Sequence, residues 1–153
     1  MRGSLSPIDG FAPEMIATAT LAVDSRGGSF TEITGGAMRF VSESRAKDGA
    51  LFLFIRHTSA SLVIQENADP DVRRDLVSAL DRLAPADTPW VHAVEGPDDM
   101  PAHVKTMLTG VSLHIPVVGG VLALGTWQGI FVAEHRTLSH RREIVLQFIG
   151  SRR

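Results

Sequence analysis

Residues 15–23 alternate, with Ile16, Thr18, Thr20 and Ala22 on one side and Ala17, Ala19, Leu21 and Val23 on the other, the period of a β-strand. The turn residues Ser25, Arg26, Gly27 and Gly28 lead into a second short strand near 30–33, so a hairpin is expected. Thr34 can cap a helix running to about Ser44, with Met38 and Val41 turned inward. Residues 51–55 read LFLFI, apolar at every position, which predicts a central strand covered on both faces. After a polar break at 58–61, residues 62–64 continue as another strand. Asp69 before Pro70 opens a helix, because the carboxylate accepts free backbone N–H groups and proline at the first position gives up no bond. Val72, Leu76, Leu80 and Leu83 recur at helical spacing until Pro85 stops them. A third helix starts at Asp98 or Asp99, carries Pro101 in its first turn, shows Val104, Met107 and Leu108 as its apolar stripe, and ends at Gly110.

From Ser112 onward the pattern changes. Residues 113–118, 121–124, 129–133 and 143–149 are short, rich in Val and Ile, and separated by glycine or polar turns with no helix between them. The whole predicts an α+β fold: compact and sandwich-like, with a mainly antiparallel β-sheet core and about three helices packed against it. Residues 1–13 lack periodicity and read as a loose lead-in to a single domain over 14–153.

A length of 153 residues suits one domain with its own core. Hydrophobic content of 44% against 21% charged residues excludes a disordered chain, and a net charge of -2 gives no reason to expect nucleic acid or an anionic membrane as partner. The chain has no Cys, which rules out disulfides, thiolate nucleophiles and thiolate-bound metal. No apolar run is long enough to span a bilayer and residues 1–10 lack a signal-peptide hydrophobic region, so a cytoplasmic protein is expected.

Chemistry-bearing residues gather where regular elements end. Period two puts His57 on the same face as Leu51, Leu53 and Ile55 at the strand's end, where a histidine can simply bond a carbonyl. Thr58, Ser59 and Ser61 follow it in a turn whose backbone N–H groups could receive an anion, although turn hydroxyls are ordinary turn chemistry. Gln65, Glu66 and Asn67 lie between a strand end and a helix cap; such groups are commonly just solvated, but Glu66 could serve as acid, base or Mg²⁺ ligand. Asp99 and His103 are four apart and share a helix face, so the carboxylate can orient the imidazole or both can hold one metal ion. His92 stands a short strand earlier. His57, His92 and His103 could form an open three-histidine metal site. His114 is expected to satisfy a local bond and His140 to be solvated. Trp127 is packing or a stacking platform, Gln128 offers an amide to a polar substrate edge, and Arg136, Arg141 and Arg142 make a basic turn, either a solvated surface or a phosphate clamp.

Five segments in this order, HTSA from His57, ENAD from Glu66, EGPDDMPAH from Glu95 to His103, Ser112 through Pro116, and GTWQ from Gly125 to Gln128, resemble the YjbQ-like family, called secondary thiamine-phosphate synthases. The resemblance covers about residues 16–150. It implies a sandwich-like α+β fold assembling as a homotrimer. It also implies a weak ability to join a hydroxymethylpyrimidine diphosphate to a thiazole phosphate with release of pyrophosphate. His57, Asn67, Asp99, His103 and Gln128 fall on the family's motif positions. The expected catalytic residues are therefore His57, Asp99 and His103, with Ser59, Glu66, Asn67, Trp127 and Gln128 binding a small phosphorylated metabolite.

That reaction needs the departing pyrophosphate stabilised more than it needs an activated nucleophile. Mg²⁺ on Glu66, Asp98 and Asp99 could do so, with phosphate oxygens received by the Thr58–Ser61 turn and the helix start near Asp99. Two other classes fit the same residues: a metal-dependent hydrolase using a zinc-type histidine site, and a non-catalytic trimer that binds a phosphorylated metabolite between protomers.

Overall fold

The computed structural model describes residues 6–153. Of the expected lead-in, residues 1–5 lie outside the described residues, and residues 6–14 are exposed and without regular structure. The elements that follow are β1 (Met15–Ser25), β2 (Ser29–Glu32), α1 (Thr34–Glu43), β3 (Ala46–Ile55), β4 (Ala60–Glu66), α2 (Pro70–Leu83), α3 (Asp99–Thr109), β5 (Ser112–Val118), β6 (Val121–Leu122), β7 (Gln128–Glu134) and β8 (His140–Arg152).

All pairings are antiparallel. One sheet has the order β1-β8-β3-β5-β6 and the other β2-β7-β4. Leu51, Leu53 and Ile55 of β3, Ile144, Leu146 and Phe148 of β8, and Ile115 and Val117 of β5 bury one face of the larger sheet. Leu62 of β4 and Ile130 and Val132 of β7 meet them from the smaller sheet, and Ala37 and Val41 of α1 join the same core. This is the two-layer solution by which two one-sided apolar sheets remove their faces from water. The α+β, sandwich-like expectation holds.

Several local expectations do not. β1 and β2 form no hairpin: β1 pairs with β8 and β2 with β7, in different sheets. Ser25 explains the parting, since its buried hydroxyl donates to Glu134 and ties the end of β1 to a strand of the other sheet. The N-cap of α1 is Ile33, which offers no side-chain bond; the Thr34 hydroxyl is occupied with Glu32 and with the Ile130 N–H. Ala37 and Val41 face inward, four apart, while Met38 is exposed.

The LFLFI strand is covered on one face only, since Phe54 is half exposed. The strand buried on both faces is β7, whose Phe131 and Ala133 are buried opposite Ile130 and Val132. The Phe30 edge and the Arg73 guanidinium of α2 lie over Phe131. Among the described residues no such helix lies over the outer face of the larger sheet, where His114 sits exposed with its ring edge-on to Phe52.

α2 opens as expected, the Asp69 carboxylate accepting the Asp71 N–H at 2.8 Å with Pro70 behind it. None of its residues is fully buried, and Leu83 is exposed. α3 reverses its expected stripe: Pro101, Ala102, Lys105 and Thr106 are buried, while Met107 and Leu108 are exposed. The face turned toward β4 carries small and polar groups because it carries the site. Gly110 stops this helix at φ +100°, where glycine has no steric penalty.

Candidate functional site

The start of α3 holds the densest arrangement of ionisable groups. Asp99 is 2% exposed. Its Oδ2 lies 2.9 Å from His92 Nε2 and 3.1 Å from His103 Nε2, and its Oδ1 accepts from Arg136 Nη1 at 2.7 Å. The Asp99–His103 contact follows from their four-residue spacing on one helical face. His92 arrives from an irregular loop, not the short strand expected for it, and its ring stands 5.6 Å from that of His103. The ligand-type atoms of His92, Asp99 and His103 all lie within 4.8 Å of one another, the only such group of three among the described residues.

Arg136 is the keystone of this loop. Its Nε and Nη2 donate to the two oxygens of Asp98 at 3.1 and 3.3 Å, and Nη2 also reaches the Glu95 carbonyl at 2.9 Å. The Thr137 N–H and hydroxyl complete the shell of Asp98. Burial would raise the Asp98 carboxyl, but the hydrogen bonds from Arg136 and Thr137 outweigh it and hold it far below the usual carboxylate range. Asp99 follows the same logic: burial works against its charge, yet the His92 bond and the charges of His103 and Arg136 keep it ionised. Asp98 Oδ2 thus takes three donors from its own chain, while Oδ1 accepts one, from Arg136.

The tautomers are chemically informative. His103 Nδ1 lies 3.0 Å from the Thr58 carbonyl, an acceptor only, so this nitrogen carries the proton. A neutral His103 then turns the Nε2 lone pair toward a carboxylate oxygen. Only an imidazolium or a cation between the two relieves that repulsion. A carbonyl on the far nitrogen of a histidine is also the usual outer-shell partner of a metal ligand. The donor set of two imidazoles and one carboxylate suits zinc or another first-row transition ion better than Mg²⁺, which prefers oxygen ligands.

His57 does not join this group. Its Nε2 accepts the Glu143 N–H at 2.9 Å, which leaves Nδ1 as the protonated nitrogen of a neutral ring, and burial followed by the Arg142 charge lowers its pKa. Within the chain, the ligand-type atoms that converge are therefore those of His92, Asp99 and His103, and not those of the three histidines His57, His92 and His103. His57 and His103 do line one concavity of about 420 Å³ with Thr58, Thr106, Met107, Gly110 and Val111. It shares His57, Thr58 and Val111 with a neighbouring hollow of about 590 Å³ that takes in Ser59 and Arg142. The Thr106 hydroxyl is buried and without a hydrogen-bond partner among the described residues. No hydrogen bond among the described residues engages the N–H groups of His57, Thr58 or Ser59.

Glu66, Trp127 and Gln128 come together elsewhere, around a hollow of about 430 Å³ at the far end of β4. Asn67 closes that end through its N–H to the Trp127 carbonyl at 3.1 Å. Gln128 is turned back on its own turn, its Oε1 accepting the Gly125 N–H. Seven residues of strand separate this cluster from Thr58, roughly 20 Å at the rise of an extended chain, so within one subunit the expected substrate-binding residues form two places, not one.

The basic turn divides between surface and interior. Arg141 pairs with Asp24, while Arg142 is buried against Glu134 and reaches the Ser59 hydroxyl. His140 bonds the Leu138 carbonyl. Sequence reasoning passed over His135, Glu134 and the positioning role of Arg136. The signal was present, since EHR closes the apolar run of β7 just as RHT closes that of β3.

A model of the family described as UPF0047 protein YjbQ-like matches residues 19–151. The UPF0047 protein of Synechocystis is 47% identical over 131 residues, covering 85% of this chain and 89% of the relative. YjbQ of Escherichia coli O157:H7 is 40% identical over 134 residues, covering 87% and 96%. Among solved structures, an uncharacterized YjbQ/UPF0047 protein of Clostridium acetobutylicum is 36% identical, with TM-score 0.79 over 85% of this chain and 98% of that one. A hypothetical protein of Aeropyrum pernix is 29% identical, with TM-score 0.82 over 88% and 99%.

Proposed function

The chain belongs to the UPF0047 YjbQ-like family, and we propose that it is a divalent-metal-dependent enzyme acting on a small phosphorylated metabolite, with thiamine-phosphate synthesis as the reaction to test first. One observation carries the reading: two imidazole Nε2 atoms and one carboxylate oxygen converge within 4.8 Å, with the far nitrogen of His103 already fixed on a carbonyl. Asp98 and Arg136 already bond across the helix start, so the two imidazoles on Asp99 are additional to that contact.

A cation held there would act as a Lewis acid on a phosphoryl or pyrophosphate oxygen. The chain's own groups supply the rest. Thr58 fixes the His103 tautomer, and Arg136 fixes the Asp99 carboxylate, so neither ligand must reorganise. The concavity shared by His57 and His103 receives the phosphorylated end: His57 offers Nδ1–H, and the N–H groups of residues 57–59 and the Thr106 hydroxyl lack other partners among the described residues. In the homotrimer that the resemblance implies, Glu66, Trp127 and Gln128 of a neighbouring subunit would be the groups available for the heterocyclic end.

Elemental analysis of protein purified without added metal, with zinc and manganese titrations, tests the centre. Stoichiometric binding weakened at least tenfold by His92→Ala, Asp99→Ala and His103→Ala is expected. Absent binding, or binding indifferent to all three changes, refutes it. Pyrophosphate release from hydroxymethylpyrimidine diphosphate and thiazole phosphate then tests the reaction, which must fall with the same variants.

A further inference from the structure

We propose that a second, separate cavity beneath α2 binds a small carboxylic acid with an apolar, aromatic or branched body. The cavity measures about 440 Å³ and is walled by Phe30 of β2, Val77 and Leu80 of α2, and Pro101 of α3, with Lys105 and His135 among its polar groups. It exists because α2 covers the outer face of the smaller sheet without burying a single residue completely.

Most of the charge at its edge is already spent. Asp98 is paired with Arg136 and Thr137, and Glu134 is saturated by Arg142, Ser25 and the Arg136 N–H. Two groups are not. Lys105 is 8% exposed and its ammonium has one partner among the described residues, Asp81 Oδ1 at 2.6 Å. The Asp81 side chain is 62% exposed and can turn into water with little loss. Its carboxylate marks where a ligand carboxylate would stand against the same ammonium.

His135 is 6% exposed, with Nε2 2.6 Å from the Ser61 hydroxyl, which the Thr109 hydroxyl meets from the other side at 2.6 Å. Burial, then the Lys105 charge, brings its pKa down to about 4, so the ring is neutral near pH 7. The Thr109 hydroxyl spends its proton on the Lys105 carbonyl at 2.7 Å, so Ser61 donates to Thr109 and the His135 Nε2–H donates to Ser61, which leaves Nδ1 as a lone pair with no partner among the described residues. One cation beside apolar walls complements a single negative charge on an apolar body, and the Nδ1 lone pair accepts from an N–H or O–H group elsewhere on that body. A phosphate dianion would be left undercompensated in the same surroundings. The ligand class therefore differs from that of the metal centre, and the two readings stand or fall separately.

The test uses the whole chain, ¹⁵N-labelled, titrated with benzoate, phenylacetate and indole-3-acetate, with benzamide as the uncharged control. Saturable shifts at Val77, Leu80, Lys105 and His135 are expected for at least one acid, with benzamide at least tenfold weaker. Lys105→Met should weaken binding tenfold or more, Val77→Trp should abolish it by filling the space, and Asp81→Asn should tighten it by removing the internal competitor. No saturation by any of the three acids overturns the proposal. So does benzamide binding as well as benzoate, a comparison in the unmodified protein that needs no variant to fold.

Discussion

Replacing Arg136 by Met removes the guanidinium that holds the start of α3 while keeping much of the apolar stem. Four contacts disappear: two to Asp98, one to Asp99 and one to the Glu95 carbonyl. Breaking a buried ion pair by deleting one partner costs about 3–5 kcal/mol, because the other charge stays behind unpaired. Arg136 is 19% and Asp98 18% exposed, so water recovers part of the loss there. Asp99, at 2% exposure, recovers almost none. The lower end, about 3 kcal/mol, is the expected destabilisation at pH 7, and for a chain of this size it lowers Tm by roughly 6–12 °C. Urea unfolding at fixed protein concentration measures it. Arg136→Lys restores the charge without the fork, so it should recover only part of the stability. Because Asp99 loses the partner that orients it, zinc affinity should also fall about tenfold to a hundredfold in Arg136→Met. A stability loss under about 1 kcal/mol with zinc affinity intact would refute the role given to this residue.

Acid should destabilise the protein in two stages. His135 is held neutral with a pKa near 4, so the unfolded chain takes up a proton first, and stability falls between about pH 6.5 and 4 by up to about 3 kcal/mol, a slope that His135→Asn should flatten. Asp98, Asp99 and Glu134 have folded-state pKa values lowered, so their contribution is present above the ordinary carboxylate pKa and is lost as pH falls below about 4. A urea midpoint that stays flat from pH 7 to 4.5 would contradict the first stage. Phe148→Ala should cost about 3–5 kcal/mol in the same assay, since its ring is fully buried between the sheets. Gly150→Ala should also destabilise, because a Cβ there would collide with the Asp48 carbonyl oxygen, a backbone atom that cannot step aside; an unchanged midpoint for either variant would show that the packing is looser than described.

The fold class was legible because the last third of the chain, where strand follows strand without a helix, admits few solutions other than an antiparallel sheet. What misled was local pattern read without its neighbours. LFLFI is apolar on both faces, yet only Leu51, Leu53 and Ile55 face the core. A continuous apolar run predicts cover on both sides only if something lies on the other side, and that is a property of other elements. The reverse error occurred in α3, where the stripe Val104, Met107 and Leu108 satisfied helical periodicity but the buried face holds Lys105 and Thr106. Periodicity assumes that apolar means inward, and a helix that carries a polar site breaks the assumption.

The site was half legible for the same reason. Asp99 and His103 are neighbours by helical geometry alone, so four residues of sequence were enough to join them. His92 could be named but not placed, because an irregular loop has no period. Its position is set by Arg136, 44 residues downstream of it, which pins the loop through the Glu95 carbonyl and the Asp98 carboxylate. Arg136 in turn stands where it does because β7 pairs with both β2 and β4, which carries the end of β7 to the start of α3. A residue whose role is to tie two distant segments leaves no mark in either one. The one trace available was compositional: a chain that closes two buried strands with charged and imidazole groups, at residues 56–58 and 134–136, must satisfy them against something at that end of the fold. Counting those groups against their possible partners, rather than seeking ligand spacing, is the reading of the sequence that would have brought His92, Asp99 and Arg136 together.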